Sequence, residues 1–110
     1  MIHATVRLDP ARRIAPLNPN IYGQFIEHLG RCIYGGIYEP GSSLADARGF
    51  RTDVMAAIRR LRVPVLRWPG GNFVSSYHWQ DGIGPPEDRP ARRDTAWRKF
   101  ESNQFGPDEF

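Results

Sequence analysis

A carboxylate, a carboxamide and several flat aromatic rings suffice to hold a polyhydroxylated molecule, and this chain brings all three together in two short stretches. Glu27-His28 closes the segment IYGQFIEH, and Asn72 closes RWPGGN, the start of RWPGGNFVSSYHW from Arg67 to Trp79. The carboxylate accepts hydrogen bonds from hydroxyls, the amide both donates and accepts, and an indole stacks on the apolar face of a sugar ring. Gly70 and Gly71 let the backbone approach a ligand closely. Each residue taken alone has a plainer explanation. The glycine pair could be a tight turn, Trp68, Tyr77 and Trp79 could be core, and His28 could be a satisfied histidine at a strand end. Their joint occurrence at two strand ends favours a site.

Other chemistries fit less well. Gly82-Ile83-Gly84 runs into Pro85-Pro86 with no third glycine or helix, so it is no dinucleotide fingerprint, and no phosphate-loop lysine motif occurs. His3, His28, His78 and Cys32 lack metal-ligand spacing, and no serine sits in a nucleophile elbow. Neither a metal nor another cofactor is expected. The run EDRPARRD reads as a solvated loop.

The elements that must position these residues can be read from periodicity. Ile2 to Leu8 alternates apolar and polar residues, and Asp9-Pro10 supplies a turn before Arg13 to Ala15, which together predict an edge hairpin. Beyond the loop from Pro16 to Pro19, IYGQFIEHLG predicts a short strand, and RCIYGGIYEPGSS a glycine-rich loop. In FRTDVMAAIRRLR, Phe50, Val54, Ile58 and Leu61 recur at helical spacing, with Asp53 near the positive end of the dipole and Arg59, Arg60 and Arg62 near the negative end. Pro64 stops the helix, and Val63 to Leu66 predicts a strand buried on both faces of a parallel sheet. Strand, helix and strand make one βαβ unit. A right-handed crossover then sets Glu27 and Asn72 side by side at the carboxyl ends of the strands, where α/β proteins bind ligands.

Composition narrows the class further. The 110 residues allow a single core, and 40% hydrophobic with 25% charged residues is ordinary for a globular chain. The net charge of +3 comes from arginines spread from Arg7 to Arg98, with Lys99 the one lysine, which argues against a nucleic-acid surface. MIHATVRLDP has no basic n-region followed by an apolar stretch, no run is long enough for a membrane helix, and the lone Cys32 reads as a small buried hydrophobe in a reducing compartment. A cytoplasmic protein with no membrane or nucleic-acid partner is the expectation.

Three segments carry a resemblance to a known family: IYGQFIEHLGRCIYGGIYEPGS, GFRTDVMAAIRRLRVPVLRWPGGNFVSSYHWQDGIGP and RPARRDTAWRKFESNQFGPDEF. From Asn18 to Phe110 the chain resembles the amino-terminal part of α-L-arabinofuranosidases of glycoside hydrolase family 51. The resemblance implies a (β/α)8 barrel whose first strand carries FIEH and whose second ends in PGGN. Residues 1–15 would be an N-terminal β segment that joins a β-sandwich, and 16–110 the first part of the barrel. It further implies release of terminal α-L-arabinofuranosyl residues from arabinan, arabinoxylan and their oligosaccharides with retention of configuration, by enzymes that are often oligomers. Carried over by position, Glu27 and Asn72 match residues that bind arabinose hydroxyls, and Trp97 matches a tryptophan that lines the sugar pocket. Neither catalytic glutamate falls in the matched stretch, so no catalytic residue is expected here. A barrel of this type takes about 250 residues, and Gly106 to Phe110 reads as the start of a helix that does not continue, so an incomplete, inactive piece is expected. The alternative is a truncated sugar-binding protein without catalysis.

Overall fold

A computed structural model describes residues 2–110, so Met1, the first residue of the 1–15 segment, lies outside the described residues. The central unit is the expected βαβ. Strand β1 (Gln24–Phe25) pairs in parallel with β2 (Leu66–Arg67), Gln24 facing Leu66 and Phe25 facing Arg67. Between them lies helix α1 (Thr52–Leu61), which carries Asp53 in its first turn and Arg59 and Arg60 in its last. Both charges suit the helix dipole. The helix ends on Arg62, which is left-handed at φ 49°, before Pro64 is reached. Arg51 fixes the other end, its guanidinium held bidentately by Asp53 at 2.9 and 2.7 Å while it also reaches Glu39 at 2.7 Å.

The glycine-rich segment after β1 folds inward and supplies two of the four residues of the buried cluster. Ile33, Tyr38, Phe50 and Phe105 are buried together, with Ile26, Tyr34, Ile37, Met55 and Trp68 packed against them. The rings of Tyr38, Phe50 and Phe105 meet edge to face at centroid distances of 5.6 to 6.2 Å. Bridges from Tyr38 to Tyr34 and Phe50 give this segment its only ladder contacts among the described residues. A second sheet, the antiparallel hairpin of β3 (Arg92–Asp94) and β4 (Lys99–Glu101), closes over it.

Four expectations need correction. The Asp9-Pro10 turn forms, with Arg12 N–H donating to Asp9 O at 3.1 Å, but its arms do not pair, and Ile2, Val6, Leu8 and Ile14 are all at least 86% exposed. These arms find no neighbouring strand among the described residues to complete their hydrogen bonds. The Val63 to Leu66 strand begins later, at Leu66, and its faces are open, with Val65 and Leu66 47% and 42% exposed. A two-stranded sheet lacks the flanking helices that would cover both faces. Cys32 is exposed, because it borders an apolar hollow of about 540 Å³ between β1, β2 and α1 rather than the core. The run EDRPARRD is solvated only in part, since Arg89 and Asp94 are buried while its other residues are exposed. Arg89 has a side chain only 1% exposed and donates to Glu109 at 2.8 and 3.0 Å, to Gly84 O and to Asn103 O, while Asp94 is also buried.

The Gly106 to Phe110 segment makes one helical turn. Phe110 N–H donates to Gly106 O at 3.1 Å, and Glu109 reaches back to accept from Gly106 N–H at 2.8 Å, the carboxylate half of a capping box. The chain has a radius of gyration of 19.4 Å, against about 13 Å for a compact domain of this length.

Candidate functional site

Parallel pairing of β1 and β2 delivers the two polar stretches to one sheet edge. The ladder ends where Ile26 N–H donates to Arg67 O at 2.9 Å, and Glu27 follows directly. The Glu27 carboxylate forms an ion pair with the Arg67 guanidinium, which also sits 5.1 Å over the Phe25 ring. The PGGN loop arches over this pair. Gly70 and Gly71 have φ of +62° and +65°, and a Cβ at Gly71 would overlap the Glu27 carboxylate. A Cβ at Gly70 would instead overlap the Arg67 guanidinium, and these contacts together with the left-handed backbone are why glycine occupies both positions. Asn72 ends the loop with an exposed amide that caps nothing in the short 3₁₀ turn Phe73–Ser76.

Behind this edge lies a polar cluster enclosed by aromatic rings. The His28 side chain is 4% exposed and stacks on Phe73 at 4.2 Å with an interplanar angle of 16°. Its Nδ1 lies 3.1 Å from Glu101 Oε2, within ion-pair distance though poorly aligned as a hydrogen bond, and its Nε2 meets no hydrogen-bond partner among the described residues. Glu101 Oε1 accepts from the Tyr34 hydroxyl and from Asn103 N–H at 2.8 Å, and the Tyr34 oxygen in turn accepts from Phe105 N–H at 3.1 Å. Burial pushes the Glu101 carboxyl up, but the contacts with His28, Tyr34 and Asn103 outweigh it and hold the group below the usual carboxylate range. Burial and the neighbouring Glu101 push the Tyr34 hydroxyl well up.

Trp97 lies in the turn between β3 and β4, where Asp94 accepts from the N–H groups of Ala96 at 2.9 Å and Trp97 at 3.3 Å. Its indole is partly exposed and lines a groove of about 300 Å³ with His28, Tyr34, Lys99 and Glu101. Glu27 and the Asn72 loop thus come together at the sheet edge, whereas Trp97 flanks the groove beside His28. Trp68 is not free to stack on a ligand, since it packs on Phe110 at 5.5 Å and on Phe105 and Tyr77. Glu101, Tyr34 and Phe73 did not stand out in the sequence. The nearest signal was His28, whose burial called for a partner that spacing alone could not identify.

Comparison with known proteins decides the family. The family model described as Alpha-L-arabinofuranosidase 1 domain matches residues 57–110. The probable alpha-L-arabinofuranosidase C of Aspergillus niger is 59% identical over 106 residues, covering 96% of this chain and 21% of the relative. The chain also superposes on the thermostable GH51 alpha-L-arabinofuranosidase of Thermotoga petrophila with a TM-score of 0.87 and 63% identity, over 92% of this chain and 21% of that one. The chain belongs to glycoside hydrolase family 51. It spans about a fifth of the length of the family 51 relatives it matches, including the intracellular exo-alpha-(1->5)-L-arabinofuranosidase of Acetivibrio thermocellus, 52% identical over all 110 residues and 22% of the relative. The family 51 likeness takes in the βαβ unit, the PGGN loop and the β3–β4 hairpin alike.

Proposed function

We propose that this chain is the sugar-binding, amino-terminal portion of a retaining α-L-arabinofuranosidase that removes terminal α-L-arabinofuranosyl residues from arabinan, arabinoxylan and their oligosaccharides. The observation that carries the reading is the meeting of Glu27 with the PGGN loop at one sheet edge, in a chain this similar to family 51 enzymes. Glu27 accepts from sugar hydroxyls, Asn72 donates and accepts, and Trp97 supplies a stacking face beside the groove. Residues 16–110 are the opening of the barrel, and the segment before them lies outside it.

The two catalytic glutamates lie on later strands, beyond the matched fifth of the relatives. In a retaining mechanism they stand about 5 Å apart, one attacking the anomeric carbon and the other protonating the leaving oxygen. The carboxylates nearest this site are already engaged, Glu27 by Arg67 and Glu101 by Tyr34 and His28. Their engagement suits binding and structure rather than proton transfer. The single cysteine and the intracellular Acetivibrio relative support a cytoplasmic setting.

The test uses the whole enzyme that contains this chain, with 4-nitrophenyl α-L-arabinofuranoside as substrate. Glu27→Ala and Asn72→Ala should each lower kcat/KM by roughly 10- to 100-fold, since each leaves hydroxyls and pocket groups unpaired at a cost of about 1–3 kcal/mol. The 110-residue chain alone should release no arabinose. Unchanged kinetics in both variants would refute the site, and turnover by the isolated chain would refute the division of labour.

A further inference from the structure

Glu27 and Asn72 both lie beyond the last backbone bond that joins β1 to β2. Backbone hydrogen bonding therefore does not set their separation, and side chains must. The residue after Glu27 is His28, the residue after Asn72 is Phe73, and these two rings stack face to face at 4.2 Å. Both are buried, with Phe73 only 4% exposed, inside a box formed by Tyr34, Trp68, Tyr77 and Phe105, whose ring centroids lie 5.7 to 6.3 Å from that of His28. Near-parallel stacking at this distance leaves little room for one strand end to slide past the other.

We infer that His28 and Phe73 form a clasp that fixes the spacing between Glu27 and Asn72, and that Glu101 anchors it. The inference rests on reading Glu27 and Asn72 as the sugar-binding pair. Glu101 reaches His28 from β4, 73 residues away in sequence, and is itself held by Tyr34 and by Asn103 N–H. Its Oε2 lies 3.1 Å from Nδ1, at the edge of the ring that Phe73 meets. The clasp touches no substrate. His28, Phe73 and Glu101 are positioning residues that act through their chain neighbours, and a displacement of the order of 1 Å is enough to cost roughly 100-fold in rate.

The decisive measurement is a mutant cycle on the whole enzyme containing this chain, with 4-nitrophenyl α-L-arabinofuranoside. His28→Ala and the milder Phe73→Leu should each lower kcat/KM by roughly 10- to 100-fold. Either change should have under about a third of that effect, on a logarithmic scale, when Asn72 is already alanine, because the clasp then has less to position. A general loss of structure would instead add in full in both backgrounds. His28→Phe, which keeps a stacking ring, should recover part of the His28→Ala loss, whereas Glu101→Gln should show a smaller loss than His28→Ala. If Glu27→Ala and Asn72→Ala impair the enzyme while His28→Ala and Phe73→Leu do not, or if the losses add in full, the clasp is wrong and the site stands. If Glu27→Ala and Asn72→Ala have no effect, both ideas fall together. Should His28→Ala fail to fold, Phe73→Leu carries the cycle alone.

Discussion

At the scale of single residues, the sharpest constraint in the site falls on a glycine. A side chain at Gly71 would need both a left-handed backbone and the space that the Glu27 carboxylate fills. Gly71→Ala should therefore cost about 1–2 kcal/mol in backbone strain and also dislodge Glu27. Gly41 shares the positive φ, at +87°, but a Cβ there meets nothing within 4 Å, so Gly41→Ala isolates the strain. Steady-state kinetics on an arabinofuranoside should show a loss of kcat/KM for Gly71→Ala that Gly41→Ala lacks. The second prediction concerns Arg89. Its guanidinium is enclosed by Glu109, Gly84 and Asn103, and removing one partner of a buried pair costs about 3 kcal/mol or more. In Arg89→Met, amide hydrogen exchange at Gly84, Asn103 and Gly106 should quicken by roughly 100-fold, because the local opening free energy falls. Protection equal to that of the parent would show that Arg89 carries no such role.

At the scale of elements, α1 divides into a covered and an uncovered half. Phe50, just before the helix, is buried and Met55 packs on the core, whereas Leu61 is 69% exposed over the apolar hollow. In the isolated chain, Leu61→Lys should leave the far-ultraviolet helix signal unchanged and reduce light scattering, while Phe50→Ala should lose the signal, at a core cost of about 3–5 kcal/mol. The helix was legible in the sequence from its period, and β1 and β2 in outline from short apolar segments, although β2 begins at Leu66 and not at Val63. Glu27 and the PGGN loop were legible because they end those elements. What escaped the sequence lay in long-range contacts. A run such as EDRPARRD has the composition of a wet loop, and only the fold brings Glu109 onto Arg89. Likewise RCIYGGIYEPGSS carries the glycine and proline of a surface loop, yet its Ile33 and Tyr38 turn inward because Phe50 and Phe105 offer apolar partners. The arms around Asp9-Pro10 have a strand's alternation without a sheet to join, and alternation alone does not supply pairing.

At the scale of the whole molecule, three tyrosines make stability sensitive to alkali. Burial raises the hydroxyls of Tyr34, Tyr38 and Tyr77, with Glu101 also raising Tyr34 and Tyr77, and Tyr77 is pushed up to about 12. An acid whose folded pKa lies above its unfolded value contributes stability that is complete below the unfolded pKa and disappears as pH rises through the folded one. The midpoint of urea unfolding should thus hold to about pH 10 and fall steadily toward pH 12, in step with tyrosinate absorbance at about 295 nm. Tyr77→Phe should flatten that fall. A midpoint already declining between pH 8 and 9, with no tyrosinate signal, would assign the loss to other groups. Several ties among these elements join earlier residues to ones made later in synthesis. Glu109 follows Arg89 by 20 residues, and Phe105 completes a ring cluster begun at Ile33. At a synthesis rate of roughly 5–20 residues per second, Arg89 precedes its counter-ion from the ribosome by about 1–4 s. Through that interval Arg89 lacks the carboxylate that later encloses it and the buried cluster lacks Phe105, so the closing of these elements waits on residues 105–109.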